Sequence, residues 1–308
     1  MSDAVARLKA QLPEHPSVDE LTPLADDYTG LRILAVHAHP DDESSKGSAS
    51  AAAYTDRGAR YMVATMTGGE RGDILNEEIK HSPRAHRDLP GMRRSEMAAA
   101  AKAIGIEHRW MGFVDSGLPE GDPMPPLPFG CFGVQPLERA AAPLVRLVRE
   151  YRPHVMISYD EIGGYPHPDH IMSHKVAVEA YEKAGDPEAY VGEGQPWAPL
   201  KLYYDRAFNP ERLVAGHEFL MARDGQSVFS GWVENLVDQV STEGIRHEST
   251  TRIPSSAYFD RRDQAMLAHA SQIDPNGAFF AIPTEDVKKV WPWEDYTLIA
   301  SRVPVDLP

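Results

Sequence analysis

Two apolar runs, each followed by His-Pro-Asp, constrain this chain more than any other feature. Leu31-Arg32-Ile33-Leu34-Ala35-Val36 leads to His39-Pro40-Asp41-Asp42-Glu43. Val155-Met156-Ile157-Ser158-Tyr159 leads to His167-Pro168-Asp169-His170. Short continuous apolar runs read as strands buried on both faces, which is how parallel sheets are built. Ligands of such sheets collect in the crevice beyond the carboxyl ends of the strands. Two strand tips that carry imidazole and carboxylate therefore predict one metal site assembled from both.

The rest of the pattern predicts alternating elements. Ser48–Tyr54 reads as helix, Arg60–Thr65 as strand, Ser95–Ile104 as helix and Arg109–Val114 as strand. Gly117–Gly130 is rich in Pro and Gly and reads as loop. Leu137–Tyr151 is an amphipathic helix with Leu144, Leu147, Val148 and Tyr151 on one stripe. A helix over His170–Ala184 and a strand over Leu200–Tyr204 follow. Helices over Glu211–Arg223 and Arg261–Ser271, an extended stretch at Thr250–Ser256 and a strand at Tyr296–Ala300 complete the pattern. Strands alternating with helices imply βαβ units. The expectation is an α/β fold, with a Rossmann-like, mostly parallel sheet, helices on both faces and a smaller C-terminal segment over the strand tips. Its divisions are an N-terminal extension (1–30), a metal-binding core (31–205) and a C-terminal segment (206–308) that completes the substrate site.

Composition narrows the function classes. The 31 basic and 46 acidic residues give a formal charge of −15, which argues against sequence-independent nucleic-acid binding. The single cysteine, Cys131, excludes an intrachain disulfide and a Cys-rich zinc site, and reads as a small buried residue. No apolar stretch approaches the roughly 20 residues of a membrane helix, and no signal-peptide pattern opens the chain. A cytoplasmic enzyme with a small-molecule substrate fits, and a homo-oligomer is left open.

His and Asp suit zinc, and catalytic zinc keeps three protein ligands with one open position. The neighbours Asp41 and Asp42 point in different directions, so one can bind metal while the other accepts a proton. His167 and His170 divide in the same way. Either cluster alone reads as turn chemistry or a helix cap, Asp169 being a good N-cap. The pair, on two tips of one sheet, favours the metal.

Together, His39-Pro40-Asp41-Asp42-Glu43 and Gly164-Tyr165-Pro166-His167-Pro168-Asp169-His170 resemble the PIG-L/LmbE family of zinc-dependent N-deacetylases and amidases acting on glucosamine-containing substrates. Ser44-Ser45-Lys46-Gly47, the stretch Thr67–Asn76 and Gln272-Ile273-Asp274-Pro275-Asn276-Gly277 are similar to its amidase branch. The resemblance runs from about Leu31 to Val303. It implies His39, Asp42 and His170 as metal ligands, Asp41 as general base, His167 as charge stabiliser or proton donor to the amine, and Tyr165 as a carbonyl-polarising group. It implies Arg93 (with Arg94 as rival) and Asp115 as holding the sugar–inositol part, and Lys46 as sensing the cysteinyl side. Glu70, and His269 facing the site from the C-terminal segment, complete the substrate-binding set. The cofactor implied is zinc, with iron(II) as the other metal that suits His and carboxylate.

The activity implied is hydrolysis of the amide in a glucosaminyl-inositol-containing thiol conjugate, a detoxification step. The alternatives are deacetylation of N-acetylglucosaminyl-inositol, a natural-product amidase acting on a related adduct, and a non-catalytic sugar-binding protein.

Other features carry blander expectations. Gly68-Gly69-Glu70-Arg71-Gly72 lacks the P-loop lysine and the dinucleotide glycine spacing, so it reads as a turn lining the pocket, with Glu70 and Asp73 near sugar hydroxyls or solvated. His37 reads as the last residue of its strand, packed behind the ligands. His81, His86 and His108 read as surface residues. Pro123–Pro128 reads as loop, and Trp291 and Trp293 as core or rim packing.

Overall fold

The computed structural model describes residues 3–243 and 247–304. Seven strands form one sheet: β1 (Arg32–His37), β2 (Arg60–Thr67), β3 (Glu107–Phe113), β4 (Val155–Ser158), β5 (Lys201–Asp205), β6 (Thr251–Pro254) and β7 (Trp293–Ser301). Among the described residues, eleven α-helices accompany them: α1 (Asp3–Lys9), α2 (Asp42–Ser45), α3 (Ser48–Thr55), α4 (Pro83–Arg87), α5 (Leu89–Ile104), α6 (Leu137–Tyr151), α7 (Pro168–Lys183), α8 (Pro210–Asp224), α9 (Ser230–Glu243), α10 (Phe259–Ala268) and α11 (Thr284–Val290).

The sheet order is β3-β2-β1-β4-β5-β7-β6, with β1 to β5 parallel and β7 antiparallel to both neighbours. The chain winds outward from β1 in one direction to β3 and then returns to β4 on the other side of β1. The carboxyl ends of β1 and β4 are thus the topological switch point, where the connections leave in opposite directions and open a crevice. Ile33 pairs with Val155 there, so the two motif-bearing runs are adjacent strands.

The helices start and stop on recognisable signals. Asp88 accepts from Gly91 N at 3.0 Å and caps α5, which has Pro90 in its first turn and ends at Gly105 in the left-handed region. Asn209 caps α8 in the same way through Arg212 N. The stripe expected on α6 is buried and packs with α7 against one face of the sheet. The other face is covered by α3, α5 and α10, where Ala51, Ala52, Ala100 and Ala265 allow close approach to the strands.

The C-terminal segment also joins the sheet, because β7 and β6 extend it beyond β5. Helix α9 lies in a stretch where no helix was expected, although Val233, Leu236, Val237 and Val240 repeat at helical spacing. Within the N-terminal extension, Val5 and Leu8 of α1 join Val214, Val233 and Val240 in a separate apolar cluster. His15 lies edge-on to Trp291, whose ring packs at a tilt against that of Trp293, and both Trp are buried. Cys131 is buried, as expected. His81 and His86 are exposed. His108 is a correction: it is half-buried, packed edge-on to Trp110 and 3.0 Å from Thr65 Oγ1, because its strand borders β2.

Candidate metal centre

Beyond β1 the chain is held on both sides. Ala38 O accepts from Thr67 N and Thr67 Oγ1, each at 3.0 Å, and Ala38 N donates to the Tyr159 hydroxyl at 2.7 Å. After Pro40 the backbone turns sharply at Asp41, whose φ of 137° and ψ of −26° lie where L-residues are rarely found. Such conformations cost about 1–3 kcal/mol and persist only where surrounding contacts hold them. The turn sends Asp41 and Asp42 in different directions.

Asp42 is buried and fully engaged. Its Oδ2 accepts from His39 N at 2.9 Å and from Tyr159 OH at 2.7 Å, and its Oδ1 receives the Lys46 ammonium. Burial alone would raise its pKa. Lys46, His170 and His39 outweigh burial and hold it well below the usual carboxylate range.

On the β4 side, Gly163 and Gly164 both have positive φ. A Cβ on Gly163 would lie 2.5 Å from that of His170. The glycine lets its carbonyl meet His170 Nδ1 at 2.9 Å. His170 Nε2 is then left buried without a hydrogen-bond partner, 3.5 Å from Asp42 Oδ2. Burial holds the pKa of His170 well below its usual value, so the ring is neutral and able to coordinate. His39 Nδ1 is 3.6 Å from the same Asp42 oxygen. Three ligand atoms on a tetrahedral ion with bonds of about 2.0–2.2 Å stand roughly 3.3–3.6 Å apart. The set His39, Asp42 and His170 fits a divalent ion on these grounds: an orphaned imidazole nitrogen, suitable spacing and one carboxylate.

Outside the ligand set, His39 Nε2 faces Asp169 Oδ2 at 3.3 Å and Asp115 Oδ1 at 3.7 Å. Burial opposes charge on His39, but these carboxylates and Asp42 hold its pKa up to about 10. A carboxylate behind a coordinating imidazole fixes its ring and raises its basicity. Asp169 is therefore not the helix cap. His167 occupies the N-cap of α7, with Nδ1 accepting from Asp169 N at 3.1 Å, while Asp169 Oδ2 accepts from Ser116 N at 2.8 Å. Neutral His167 then carries its proton on Nε2. Burial, aided by His39, lowers its pKa to about 4. The ring centres of His167 and His39 are 4.6 Å apart.

Asp41 is partly exposed at the crevice, and its Oδ1 lies 3.4 Å from Arg93 Nη2. Burial, opposed by Arg93 and reinforced by Asp42, raises its pKa. Tyr165 is 40% exposed, with its ring 4.7 Å from that of His170.

The residues expected to bind substrate occupy varied positions. Arg93 is buried and donates to Pro40 O at 2.6 Å and Gly69 O at 3.0 Å, whereas Arg94 is exposed. A side chain on Gly69 (φ +65°) would run into the Arg93 guanidinium, which explains the glycine in that turn. Asp115 is buried and accepts from Arg71 N and Gly117 N. Glu70 is half-buried and accepts from Asp115 N at 3.1 Å, while Asp73 is exposed, its carbonyl accepting from Gln272 Nε2. Lys46 is buried against Asp42, with Nζ 5.4 Å from the centre of the Phe208 ring. His269 is a correction: it is fully enclosed and bonded to Glu43 Oε1 at 2.6 Å, so it presents nothing to a substrate. His37 is buried behind the ligands, edge-on to Tyr159. Tyr159 is a further residue of the site, one that the two motifs do not include. Its ring stacks on His170 at 4.4 Å, and its place at the end of a motif-bearing strand was the available signal.

Residues 34–181 match the family model described as PIG-L, GlcNAc-PI de-N-acetylase. The chain is 47% identical to the mycothiol S-conjugate amidase of Streptomyces coelicolor, over 90% of this chain and 94% of that protein. It is 37% identical to the 1D-myo-inositol 2-acetamido-2-deoxy-alpha-D-glucopyranoside deacetylase of Streptomyces avermitilis, over 89% of this chain and 93% of that one. The solved structure of N,N'-diacetylchitobiose deacetylase from Pyrococcus horikoshii shares its fold, with a TM-score of 0.58 at 14% identity, over 87% of this chain and 83% of that one. The matched stretch holds both motif-bearing strand tips and the similarity continues along nearly the whole chain, so the chain belongs to the PIG-L family.

Proposed function

We propose that this protein is a zinc-dependent amidase that hydrolyses the amide of mycothiol S-conjugates, giving an S-substituted N-acetylcysteine and glucosaminyl-inositol. The observation that carries the reading is the 47% identity to an amidase of that name along nine-tenths of both chains. His39, Asp42 and His170 would hold the metal, with iron(II) as the alternative ion. An ion held there supplies Lewis acidity to water and to the amide carbonyl.

The chain's own residues do the rest. Asp41 accepts the proton of the attacking water as oxygen bonds to the carbonyl carbon. The pKa raised by burial makes it a stronger base than an exposed aspartate. His167, neutral at pH 7, donates its Nε2–H to the carbonyl oxygen as negative charge develops there, and the Tyr165 hydroxyl donates to the same atom. The C–N bond then breaks, and the proton held by Asp41 passes to the departing amine. We assign the polyol to the side of Glu70, Arg93 and Asp115. The acyl–sulfur part goes to the side of Lys46, where the rings of Tyr165 and Phe208 are 40% and 46% exposed. A cytoplasmic location is part of this proposal. Among the described residues no helix is long and apolar enough to cross a membrane.

Amine release from a mycothiol S-conjugate, measured beside release from N-acetylglucosaminyl-inositol, tests the proposal. The expected result is a higher kcat/KM for the S-conjugate. Preference for the acetylated sugar would move the protein to the deacetylase branch.

A further inference from the structure

The conformation of Asp41 is held from beneath by a buried layer. Its N–H donates to Glu43 Oε2 at 2.9 Å, and the carbonyl of Pro40 before it accepts from Arg93. Glu43 is enclosed, its Oε1 accepting from Ser44 Oγ at 2.5 Å and lying 2.6 Å from His269 Nε2. His269 comes from the far end of the chain, just after α10, and is anchored on both sides. Its N–H donates to Met266 O, and its carbonyl accepts from Gln272 N and Ile273 N. Ser271 donates to Glu96 through both N and Oγ, at 2.8 and 2.6 Å, and Gln272 Nε2 donates to Asp73 O at 2.9 Å. His269 Nδ1 has no partner. Among the described residues, the ring therefore delivers one hydrogen bond, and Glu43 receives it.

We propose that His269 is a positioning residue: it fixes the Glu43 carboxylate, which holds the Asp41 backbone in its left-handed turn and aims the Asp41 carboxylate into the crevice. The inference rests on reading Asp41 as the general base. Without its imidazole partner the Glu43 side chain is anchored only by the neighbouring Ser44 hydroxyl and can shift away from Asp41. The Asp41 N–H then loses a fixed acceptor, and the strained turn can relax. Misplacement of a reacting group by about 1 Å can cost on the order of a hundredfold in rate.

The test is a pair of substitutions in the full-length, metal-loaded protein. His269→Asn places an amide nitrogen near the Nδ1 position and leaves Glu43 Oε1 with the Ser44 hydroxyl alone, whereas His269→Gln reaches the Nε2 position. The Asn variant is expected to lose about ten- to a hundredfold in kcat for the S-conjugate, with KM and metal content unchanged. The Gln variant should recover most of that loss. In an Asp41→Asn background, His269→Asn should change kcat by less than about twofold, because the two residues act through one group.

A rise in KM at constant kcat, equal losses for Asn and Gln, or the full loss repeated in the Asp41→Asn background would each overturn the proposal. If the Asn variant does not fold, the Gln variant decides: near-normal kcat supports the proposal and a hundredfold loss rejects it. If the wild-type protein cleaves neither substrate, the reading of Asp41 fails separately. Crystal structures of the variants then judge the positioning alone. Departure of Asp41 from positive φ with Asn but not with Gln supports it, and an unchanged turn in the Asn variant rejects it.

Discussion

Asp42→Ala is expected to give a protein that has lost its metal, its turnover and a large part of its stability. The carboxylate receives Tyr159 OH, His39 N and the Lys46 ammonium in a buried setting. Removing it takes away one of three proposed ligands and leaves Lys46 enclosed without its partner. Breaking a buried ion pair from one side costs about 3–5 kcal/mol. Asp205 compensates little, since burial pushes its own pKa up to about 7. His170→Ala provides the control. Its Nε2 bonds to nothing in the protein, so that variant should lose metal and activity with a smaller loss of stability. Elemental analysis and calorimetry separate the two. Full metal occupancy in either variant would remove that residue from the ligand set, and an unchanged Tm in Asp42→Ala would refute the role of the Lys46 pair.

Asp41 should show the opposite combination. Asp41→Asn is expected to keep the metal and lose about 10²–10⁴-fold in kcat, because the side chain keeps its size and loses its basicity. Asp41→Gly is expected to lose activity to a similar degree while gaining about 1 kcal/mol or more of stability. Glycine adopts a φ of 137° without the cost that aspartate bears, although its freer unfolded chain offsets part of that gain. Stability and function are then in direct conflict at one residue, as expected where a strained backbone serves chemistry. Near-normal kcat in metal-loaded Asp41→Asn would mean that another group takes the proton, and a lower Tm in Asp41→Gly would mean that the turn is not strained.

The parts legible in the sequence are those written in local pattern. Buried parallel strands need continuous apolar runs, so β1 and β4 announce themselves, and the stripe on α6 does the same for a helix. The motif at each tip was visible for the same reason. What was not legible depends on partners distant in sequence. Asp169 in isolation is a competent N-cap; only Ser116 and His39, brought beside it by the fold, turn it into the group behind an imidazole. His269 lies 226 positions from Glu43, and nothing in the residues around it says that it points inward. Lys46 is placed near the site by its distance from the β1 tip, but its burial against the Asp42 carboxylate one helical turn away is visible only in the fold. Helix α9 is not marked by its spacing alone, because the apolar surface it covers belongs partly to α1, an element outside the expected pattern.

The site's place at the switch point bears on how the protein folds. His39 and Asp42 hang from the tip of β1, while His170 sits just beyond the tip of β4. The two strands pair directly, yet His39 and Asp169 are 130 positions apart, and the chain between them must first lay down β2, β3 and their helices. No fragment of either half contains all three proposed ligands. An ion that binds only the assembled trio therefore acts as a clasp on the central strand pairing, and its binding free energy adds to that of the whole sheet. At free metal a thousandfold above the dissociation constant, that contribution is about 4 kcal/mol. Chelation should accordingly lower the Tm of the entire cooperative unit rather than loosen a loop, and a transition unmoved by chelator would show that the ion is not held by these three residues.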